Sequence, residues 1–176
     1  FAAYANAEPV ARWGRKHAWM FEVAVPGWLG RYYAGRNFEK DEVMLERLDP
    51  VLNMQNERFP THDQRSDNFS AKWTALFPVD EEAKYEFDVD ADDHGELHLD
   101  GEKLINRRGR KSVDLKPGDY PIEVRFYEGG GTARIRVQYR KAGEENFRWL
   151  DDSVVRTTTT KDTKLPPATE ARVNVD

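Results

Sequence analysis

The sequence predicts an all-β protein, an antiparallel β-sandwich or barrel, on three observations. Apolar residues alternate with polar residues through most of the chain, as strands with one buried face require. Turn residues separate these runs at short and regular intervals. No long helical period competes with this pattern between residues 28 and 141. Many short strands with such punctuation are typical of sandwiches and barrels.

Each strand is predicted from a run in which every second residue is apolar. The clearest runs are Phe69–Phe77, Tyr85–Ala91, Leu97–Leu99, Ile122–Phe126 and Ile135–Tyr139. Turns are predicted where glycine, proline, asparagine and aspartate interrupt the alternation. These positions are Pro78 and residues 92–95, 100–101, 116–119 and 129–131.

The same pattern divides the chain into three parts. Residues 1–26 form an irregular N-terminal extension, which fits either a helical stripe or an added strand, and Pro26 and Gly27 mark its end. Residues 27–141 form the β-sandwich. Residues 142–176 are predicted to contain one last strand near Phe147 to Leu150, followed by a polar tail or linker from Thr157 onward.

Composition excludes several classes of function. The 176 residues include no cysteine, which rules out disulfides, zinc–thiolate sites and cysteine nucleophiles. The formal net charge of -5 argues against a nucleic-acid partner. No run of about 20 apolar residues occurs, so no transmembrane segment is expected.

The first residues bear on where the protein is located. Ala5-Asn6-Ala7 resembles the small-residue cleavage site of an exported protein. An ordinary polar segment after a removed domain or membrane span has the same composition. We expect an extracytoplasmic location (secreted, periplasmic or cell surface), and we expect the chain to be part of a larger protein.

An acidic stretch is the most informative feature of the sequence. It contains Asp88, Asp90, Asp92, Asp93, Glu96 and Asp100. The first two lie on the polar side of a predicted strand, where carboxylates are common. An EF-hand loop is excluded, because its sixth position is Asp93 rather than glycine and its twelfth is Leu99 rather than glutamate.

Asp92 and Asp93 stand where a strand ends and a turn begins. Adjacent carboxylates repel each other unless a cation or hydrogen-bond donors neutralise them. Neighbouring side chains on a strand point to opposite faces, so both can reach one ion only if the backbone leaves extended geometry. A cis peptide bond between them provides this geometry. Hard oxygen ligands in a loop suit calcium.

Five ordered motifs in residues 28–141 resemble the PA14 domain family. They are Trp28–Tyr33 with its glycine-x-tyrosine-tyrosine sequence, Arg47–Pro50, Asp67–Thr74, Asp92–Gly101 and Tyr127–Ala133. The resemblance implies a β-sandwich or barrel of about a dozen strands. Many members of the family bind glycans at cell surfaces, in adhesion, or as modules attached to carbohydrate-active enzymes.

The resemblance also implies a site. In the lectin members a cis-linked aspartate pair holds calcium, and the ion coordinates sugar hydroxyls directly. Carried over, the metal ligands are Asp92 and Asp93, with Glu128 and Gly130 completing the shell from the glycine-rich loop. His94, Gly129 and Gly131 are then expected to contact the ligand. Two positions depart from the family pattern: Glu128 replaces an asparagine, and His94 replaces a small glycine.

Catalysis by this chain alone is not expected. Glycoside hydrolysis needs two carboxyl groups about 5–9.5 Å apart across a sugar, and adjacent aspartates do not easily flank a ring on both sides. Gly129 to Gly131 precede a strand pattern rather than a helix, so they provide no helix N-terminus for phosphate. Residues 107–111 form a basic turn, predicted as a solvated hairpin tip beside the acidic strand, with phosphate or an acidic glycan as the alternative partner.

Exposed aromatic side chains could stack on sugar rings. The candidates are Trp28, Tyr32, Tyr33, Trp73 and Trp149, of which Trp73 is expected in the core by alternation. The sequence as a whole predicts a calcium-dependent carbohydrate-binding module, a lectin that binds a glycan or polysaccharide. The alternative is a structural or protein-interaction domain attached to a larger extracytoplasmic or membrane-anchored protein, such as a carbohydrate-active enzyme.

Overall fold

The computed structural model describes residues 9–11, 21–38, 42–63 and 65–159, and it confirms the predicted β-sandwich. The fourteen strands of the described residues are β1 (Pro9–Ala11), β2 (Phe21–Pro26), β3 (Trp28–Tyr33), β4 (Val43–Asp49), β5 (Asn53–Gln55), β6 (Phe69–Val79), β7 (Ala83–Asp92), β8 (His94–Leu99), β9 (Glu102–Arg107), β10 (Gly109–Leu115), β11 (Gly118–Glu128), β12 (Arg134–Lys141), β13 (Arg148–Trp149) and β14 (Arg156–Thr159). One 3-10 turn, Asn56–Arg58, follows β5. No helix among these residues is long and apolar enough to cross a membrane.

Two antiparallel sheets divide the strands. The larger sheet has the order β1-β2-β14-β6-β11-β8-β9, and β3 joins it by pairing with β6 and carries β4 on its other side. The smaller sheet has the order β10-β7-β12-β13, with β5 also paired to β12. Because β7 and β8 belong to different sheets, and so do β11 and β12, the chain crosses between the layers at both connections.

The core lies between the sheets and follows from the alternation in the sequence. In β7 the residues Tyr85, Phe87, Val89 and Ala91 are buried, while their neighbours are half-buried or exposed. Phe77 of the larger sheet meets Phe87 and Tyr139 of the smaller sheet edge to face, with ring centroids 5.4 Å apart in each pair. Burial of these aromatic surfaces is the main force that joins the layers.

A charged side chain, Asp49, lies among the aromatic residues of the core. Asp49 is fully buried, and it accepts hydrogen bonds from Tyr32 Oη at 2.6 Å, Trp73 Nε1 at 2.8 Å and Arg47 Nε at 2.7 Å. A Cβ on Gly30 would stand 2.4 Å from Asp49 Oδ2 and 2.8 Å from the Trp73 ring. The strand therefore needs glycine at this position, so that the carboxylate and the indole can meet above its backbone.

The C-terminal segment differs from its prediction as a polar tail. Arg156–Thr159 form β14, which pairs with β2 and touches β6 at Leu76. Val155 and Thr157 are buried, so this segment has an inward face despite its run of threonines. β-Branched threonine fits a half-buried strand as well as a tail, and only the tertiary pairing distinguishes the two. Residues 160–176 lie outside the described residues.

Two predicted turns also differ from the structure. Pro78 lies inside β6, near its end, where only β11 pairs with the strand and proline is tolerated. The basic turn at residues 107–111 is not a hairpin tip, because β9 pairs with β8 in the larger sheet whereas β10 pairs with β7 in the smaller one. The chain changes sheets there, at Arg108, and Gly109 has a φ of 121°.

The N-terminal extension is only partly described. Pro9–Ala11 and Phe21–Pro26 are paired strands, which agrees with the added-strand interpretation for these residues. The cleavage-like Ala5-Asn6-Ala7 and residues 12–20 lie outside the described residues.

Candidate functional site

The site lies where the two crossings between the sheets stand side by side. β8 pairs with β11 in the larger sheet, and β7 pairs with β12 in the smaller sheet. The crossing from β7 to β8 consists of Asp93 alone, and the crossing from β11 to β12 consists of residues 129–133. The sequence predicted a longer turn at 92–95, but the strands run up to Asp93 on both sides.

The first crossing carries the aspartate pair. The peptide bond between Asp92 and Asp93 is cis, which is the backbone geometry expected from the sequence. Both side chains are half-buried. Asp93 Oδ2 accepts a hydrogen bond from the backbone N–H of Gly129 at 2.8 Å, so the pair is joined directly to the glycine-rich crossing.

Three successive N–H groups of the glycine-rich crossing each donate to a different carboxylate. Gly129 donates to Asp93, Gly130 donates to Glu128 Oε1 at 2.6 Å, and Gly131 donates to Asp67 Oδ1 at 3.4 Å. Gly131 has a φ of 103°, a conformation that favours glycine. The loop thereby gathers three carboxylates from three separate segments around its backbone.

Glu128 is the buried member of this group. Glu128 is 0% exposed, and its Oε2 atom is buried and has no hydrogen-bond partner. Burial raises the pKa of Glu128; the hydrogen bond from Gly130 opposes this rise, and the nearby charges of Asp93, Asp92 and Asp67 add to it. A buried carboxylate with one orphaned oxygen and acidic neighbours needs either a proton or a cation to be neutralised.

Two polar side chains approach Gly129 so closely that a Cβ there would displace their ends. A Cβ there would lie 2.5 Å from Arg36 Nη2 and 2.9 Å from Asp93 Oδ2. Arg36 also donates to Asn68 Oδ1 at 3.2 Å, and its guanidinium carbon stands 4.7 Å from the centre of the Tyr127 ring. Arg36 and Asp93 thus approach Gly129 closely, and any larger residue would separate them.

A shallow depression of about 420 Å³ opens beside the aspartate pair. It is lined by Asp93, His94, Asn106, Arg107 and Tyr127. The His94 and Tyr127 rings, which occupy paired positions of β8 and β11, have centroids 6.0 Å apart. Polar groups, aromatic faces and an open side are common features of carbohydrate-binding surfaces.

A hydrogen-bonded cluster on β8 fixes the wall of this depression. The Glu96 carboxylate is hydrogen-bonded to Lys103 Nζ at 2.7 Å, His98 Nε2 at 2.9 Å and His94 Nε2 at 3.2 Å. Burial alone would raise the pKa of Glu96, but these hydrogen bonds, with that of Lys103 the strongest, lower it to about 2. The cluster therefore orients His94 toward Glu96 along the strand face.

The residues fit a calcium ion in charge and in donor type. Asp92, Asp93 and Glu128 supply hard oxygen atoms, and Glu128 Oε2 has no other partner. Within the described ranges, however, no three His, Cys, Asp or Glu side chains form a ready-made metal-binding group. Calcium would need backbone carbonyls and water to complete its shell, which is usual for this ion.

The structure brings most of the predicted site residues together. Asp93, Glu128, Gly129, Gly130 and Gly131 are linked by the hydrogen bonds described above, Asp92 precedes Asp93, and His94 lines the adjoining depression. Their roles as metal ligands and ligand contacts stay predictions. Four of the aromatic candidates, Trp28, Tyr32, Tyr33 and Trp73, are buried, so they cannot stack on a sugar; Trp149 is half-buried.

Two residues at the site were missed by the sequence reasoning. Asp67 lies in the loop before β6, and Arg36 lies in the loop after β3. Neither stands in a pattern that indicates a site, because both reach the glycine-rich crossing only through the pairing of distant strands. Asp67 opens one of the family motifs, and that position was the one available signal.

Comparison with known proteins gives a consistent result. The family model of the PA14 domain matches residues 24–153. No curated protein matches the chain. Among solved structures, an anti-sigma factor domain-containing protein is 21% identical to this chain, with a TM-score of 0.65. The match covers 74% of this chain and 47% of the other. This chain therefore spans less than half the length of that protein.

Two further structures resemble the chain over nearly their full lengths. The PA14 sugar-binding domain from an RTX adhesin is 16% identical with a TM-score of 0.60, and the match covers 76% of this chain and 99% of the other. The Epithelial Adhesin 6 A domain from Candida glabrata, solved in complex with Galb1-3GlcNAc, is 9% identical with a TM-score of 0.63, over 85% and 92% of the two chains. At these identities the matches show a shared fold.

Proposed function

The chain belongs to the PA14 domain family, and from this premise we propose that it is a calcium-dependent carbohydrate-binding module. The adhesin domains that share its fold are described as sugar-binding or as complexes with a disaccharide. The fold alone does not fix a function, so the proposal depends on the site itself.

One observation carries the proposal. The glycine-rich crossing holds the carboxylates of Asp93, Glu128 and Asp67 through successive N–H groups, and it leaves Glu128 Oε2 buried without a partner. Such an arrangement is costly as a purely structural feature, because like charges are gathered and one oxygen is unsatisfied. A divalent cation offsets both costs at once.

Named residues take specific roles in this proposal. Asp92, Asp93 and Glu128 bind calcium through side-chain oxygens, and Gly130 contributes its backbone carbonyl. The bound ion supplies open coordination positions for sugar hydroxyls. Gly129 and Gly131 keep the loop backbone close to the ligand, since neither has a side chain to intervene. His94 contacts the sugar from the adjoining depression.

We propose a binding module rather than an enzyme. Asp92 and Asp93 are neighbours in the chain, whereas glycoside hydrolysis requires two carboxyl groups on opposite sides of the scissile bond. If the chain catalysed a reaction, replacing Asp93 by alanine would abolish turnover. The binding proposal expects only lost affinity.

The proposed setting is extracytoplasmic, at a cell surface or in a secreted protein. Adhesin domains share the fold, and millimolar calcium outside cells would keep a loop site occupied. The chain spans less than half of the anti-sigma factor protein that it matches. We therefore propose that it is one module of a larger protein.

A glycan array tests the proposal directly. The protein is applied with millimolar calcium and again with a chelator, and Asp93→Asn is compared with Asp88→Asn. Asp88 is the matched control, because it pairs with Arg110 on the smaller sheet at 2.9 Å and takes no part in the site. We expect calcium-dependent glycan binding that Asp93→Asn removes and Asp88→Asn retains. Binding that ignores both the chelator and Asp93→Asn would contradict the proposal.

A structural or protein-interaction module is the second candidate. It is favoured by the length comparison, in which the match covers only 47% of an anti-sigma factor domain-containing protein. This candidate expects no signal on the glycan array with or without calcium. Co-purification with the remainder of the parent protein would then be the informative measurement.

A further inference from the structure

One arginine lines the depression next to the aspartate pair. Arg107 lines the depression, is exposed, and forms no ion pair with any carboxylate among the described residues. Its backbone φ is 78°, at the last residue of β9 before the chain changes sheets. Most other arginines of this face and of the smaller sheet are paired: Arg110 with Asp88, Arg125 with Glu123, Arg134 with Asp90, and Arg140 with Glu86.

A second arginine, Arg36, does not line the depression but stands behind Tyr127. Its guanidinium stacks on Tyr127, whose ring lines the depression, and its Nη2 approaches Gly129 on the side of Asp93. Arg36 donates a hydrogen bond to an amide oxygen, Asn68 Oδ1, at 3.2 Å, and its Nη2 lies on the same side of Gly129 as Asp93 Oδ2. Stacking on an aromatic ring holds a guanidinium in a fixed plane, so Arg36 supports Tyr127 at the wall of the depression.

The carboxylates near the depression do not compete for Arg107. Glu96 is occupied by Lys103, His98 and His94. Asp93 accepts the Gly129 N–H, and in the proposed function it is bound to calcium. The chain has a net charge of -5, so general attraction of anions by the whole protein is unfavourable. Among the residues that line the depression, Arg107 is therefore the cation left without a carboxylate partner.

We infer that the glycan bound at this site carries an anionic group, a carboxylate or a sulfate, which is received by Arg107 while calcium holds neighbouring hydroxyls. This inference depends on the proposed function, because it assigns the substrate class of the same site. Arginine binds both anions through paired N–H groups, and such charge-assisted hydrogen bonds are among the stronger polar contacts. Asn106, also in the lining, supplies a neutral amide for an adjacent hydroxyl.

Matched pairs of sugars test the inference. Affinities are measured by calorimetry in millimolar calcium for 3′-sialyllactose against lactose, and for galactose 6-sulfate against galactose. We expect the anionic member of at least one pair to bind about 10- to 100-fold more tightly, the range that one or two charge-assisted hydrogen bonds supply. The first pair identifies a carboxylate ligand and the second a sulfate ligand.

Variants of two neighbouring arginines distinguish a specific contact with the anionic group from general electrostatic attraction. Arg107→Gln should remove the preference for the anionic sugar, and Arg107→Lys should retain only part of it, because lysine cannot form the paired contact. Arg108→Gln is the control, since Arg108 is also exposed but does not line the depression. Equal weakening by Arg107→Gln and Arg108→Gln overturns the inference. Melting temperatures of all three variants verify that each is folded.

The failure of the inference is distinguishable from failure of the proposed function. Equal or tighter binding of the neutral sugars, still dependent on calcium and on Asp93, overturns the anionic preference and leaves the lectin function standing. Absence of binding to every sugar, with no effect of Asp93→Asn, overturns both.

Discussion

Replacing Glu128 by glutamine should separate the stability of the fold from the occupancy of the site. Glutamine has nearly the same shape, and its amide oxygen can still accept the Gly130 N–H. It removes a buried negative charge whose second oxygen has no partner and whose neighbours are Asp93, Asp92 and Asp67. An unsatisfied buried charged group costs about 1–3 kcal/mol. We therefore expect Glu128→Gln to be the more stable protein when a chelator is present.

The expected size of this effect follows from the length of the domain. A gain of about 1–2 kcal/mol corresponds to a rise of roughly 3–6 °C in melting temperature for a domain of this size. Calcium should reverse the order of the two melting temperatures, so that the wild type melts higher than Glu128→Gln. A ligand at a hundred times its dissociation constant stabilises the wild type by about 2.7 kcal/mol, whereas the variant has lost a charged ligand and should respond much less.

Differential scanning calorimetry in chelator and in millimolar calcium measures both effects. Glu123→Gln is the matched control, because Glu123 lies on the same strand but pairs with Arg125 at the surface and should change stability by less than about 1 kcal/mol. The reasoning is refuted if Glu128→Gln melts below the wild type in chelator and calcium then raises both proteins equally. Such a result would mean that Glu128 is a satisfied structural residue.

Three other predictions concern the backbone of the site, the core and the response to acid. Gly129→Ala should weaken calcium binding at least tenfold by calorimetric titration, because its Cβ would press on Arg36 and Asp93; Gly130→Ala has nothing within 4 Å of its Cβ and should retain the affinity. Asp49→Ala should lower the free energy of unfolding in urea by about 3–5 kcal/mol, since it leaves buried donors unpaired; a loss below about 1 kcal/mol contradicts the role given to this carboxylate. Because the pKa of Glu96 is lowered from 4.5 to about 2, its stabilisation is complete above pH 4.5 and is lost as pH falls through 2. Glu96→Gln should therefore cost about 2–3 kcal/mol at pH 6 and almost nothing near pH 1.5, and an equal cost at both values would show that its ion pairs do not stabilise the fold.

The sequence predicts the fold well where one face of a strand is buried. The alternation in β6, β7, β11 and β12 specifies which residues point inward, because side-chain direction has a period of two. It predicts β14 poorly, since threonines satisfy strand and tail equally and only pairing with β2 buries Thr157. It also cannot show that β9 and β10 lie in different sheets. Two consecutive strands have the same alternating sequence pattern whether they pair as a hairpin or belong to two different sheets.

The sequence predicts only part of the site, because it shows local motifs but not contacts between distant segments. The aspartate pair and the glycine-rich crossing are local motifs, so resemblance to a family locates them. The buried state of Glu128 depends on its place at the end of a central strand, and the approach of Arg36 and Asp67 depends on loops far away in sequence. Hydrogen bonds between distant segments carry no local signature.

The most direct measurement is a calorimetric titration of calcium into the chelator-treated protein, with Asp92→Asn/Asp93→Asn as the comparison. The account predicts a single equivalent of calcium bound by the wild type and none by the double variant at the same concentrations. Folded wild type that takes up no calcium at millimolar concentration, or a double variant that binds it unchanged, would contradict the account.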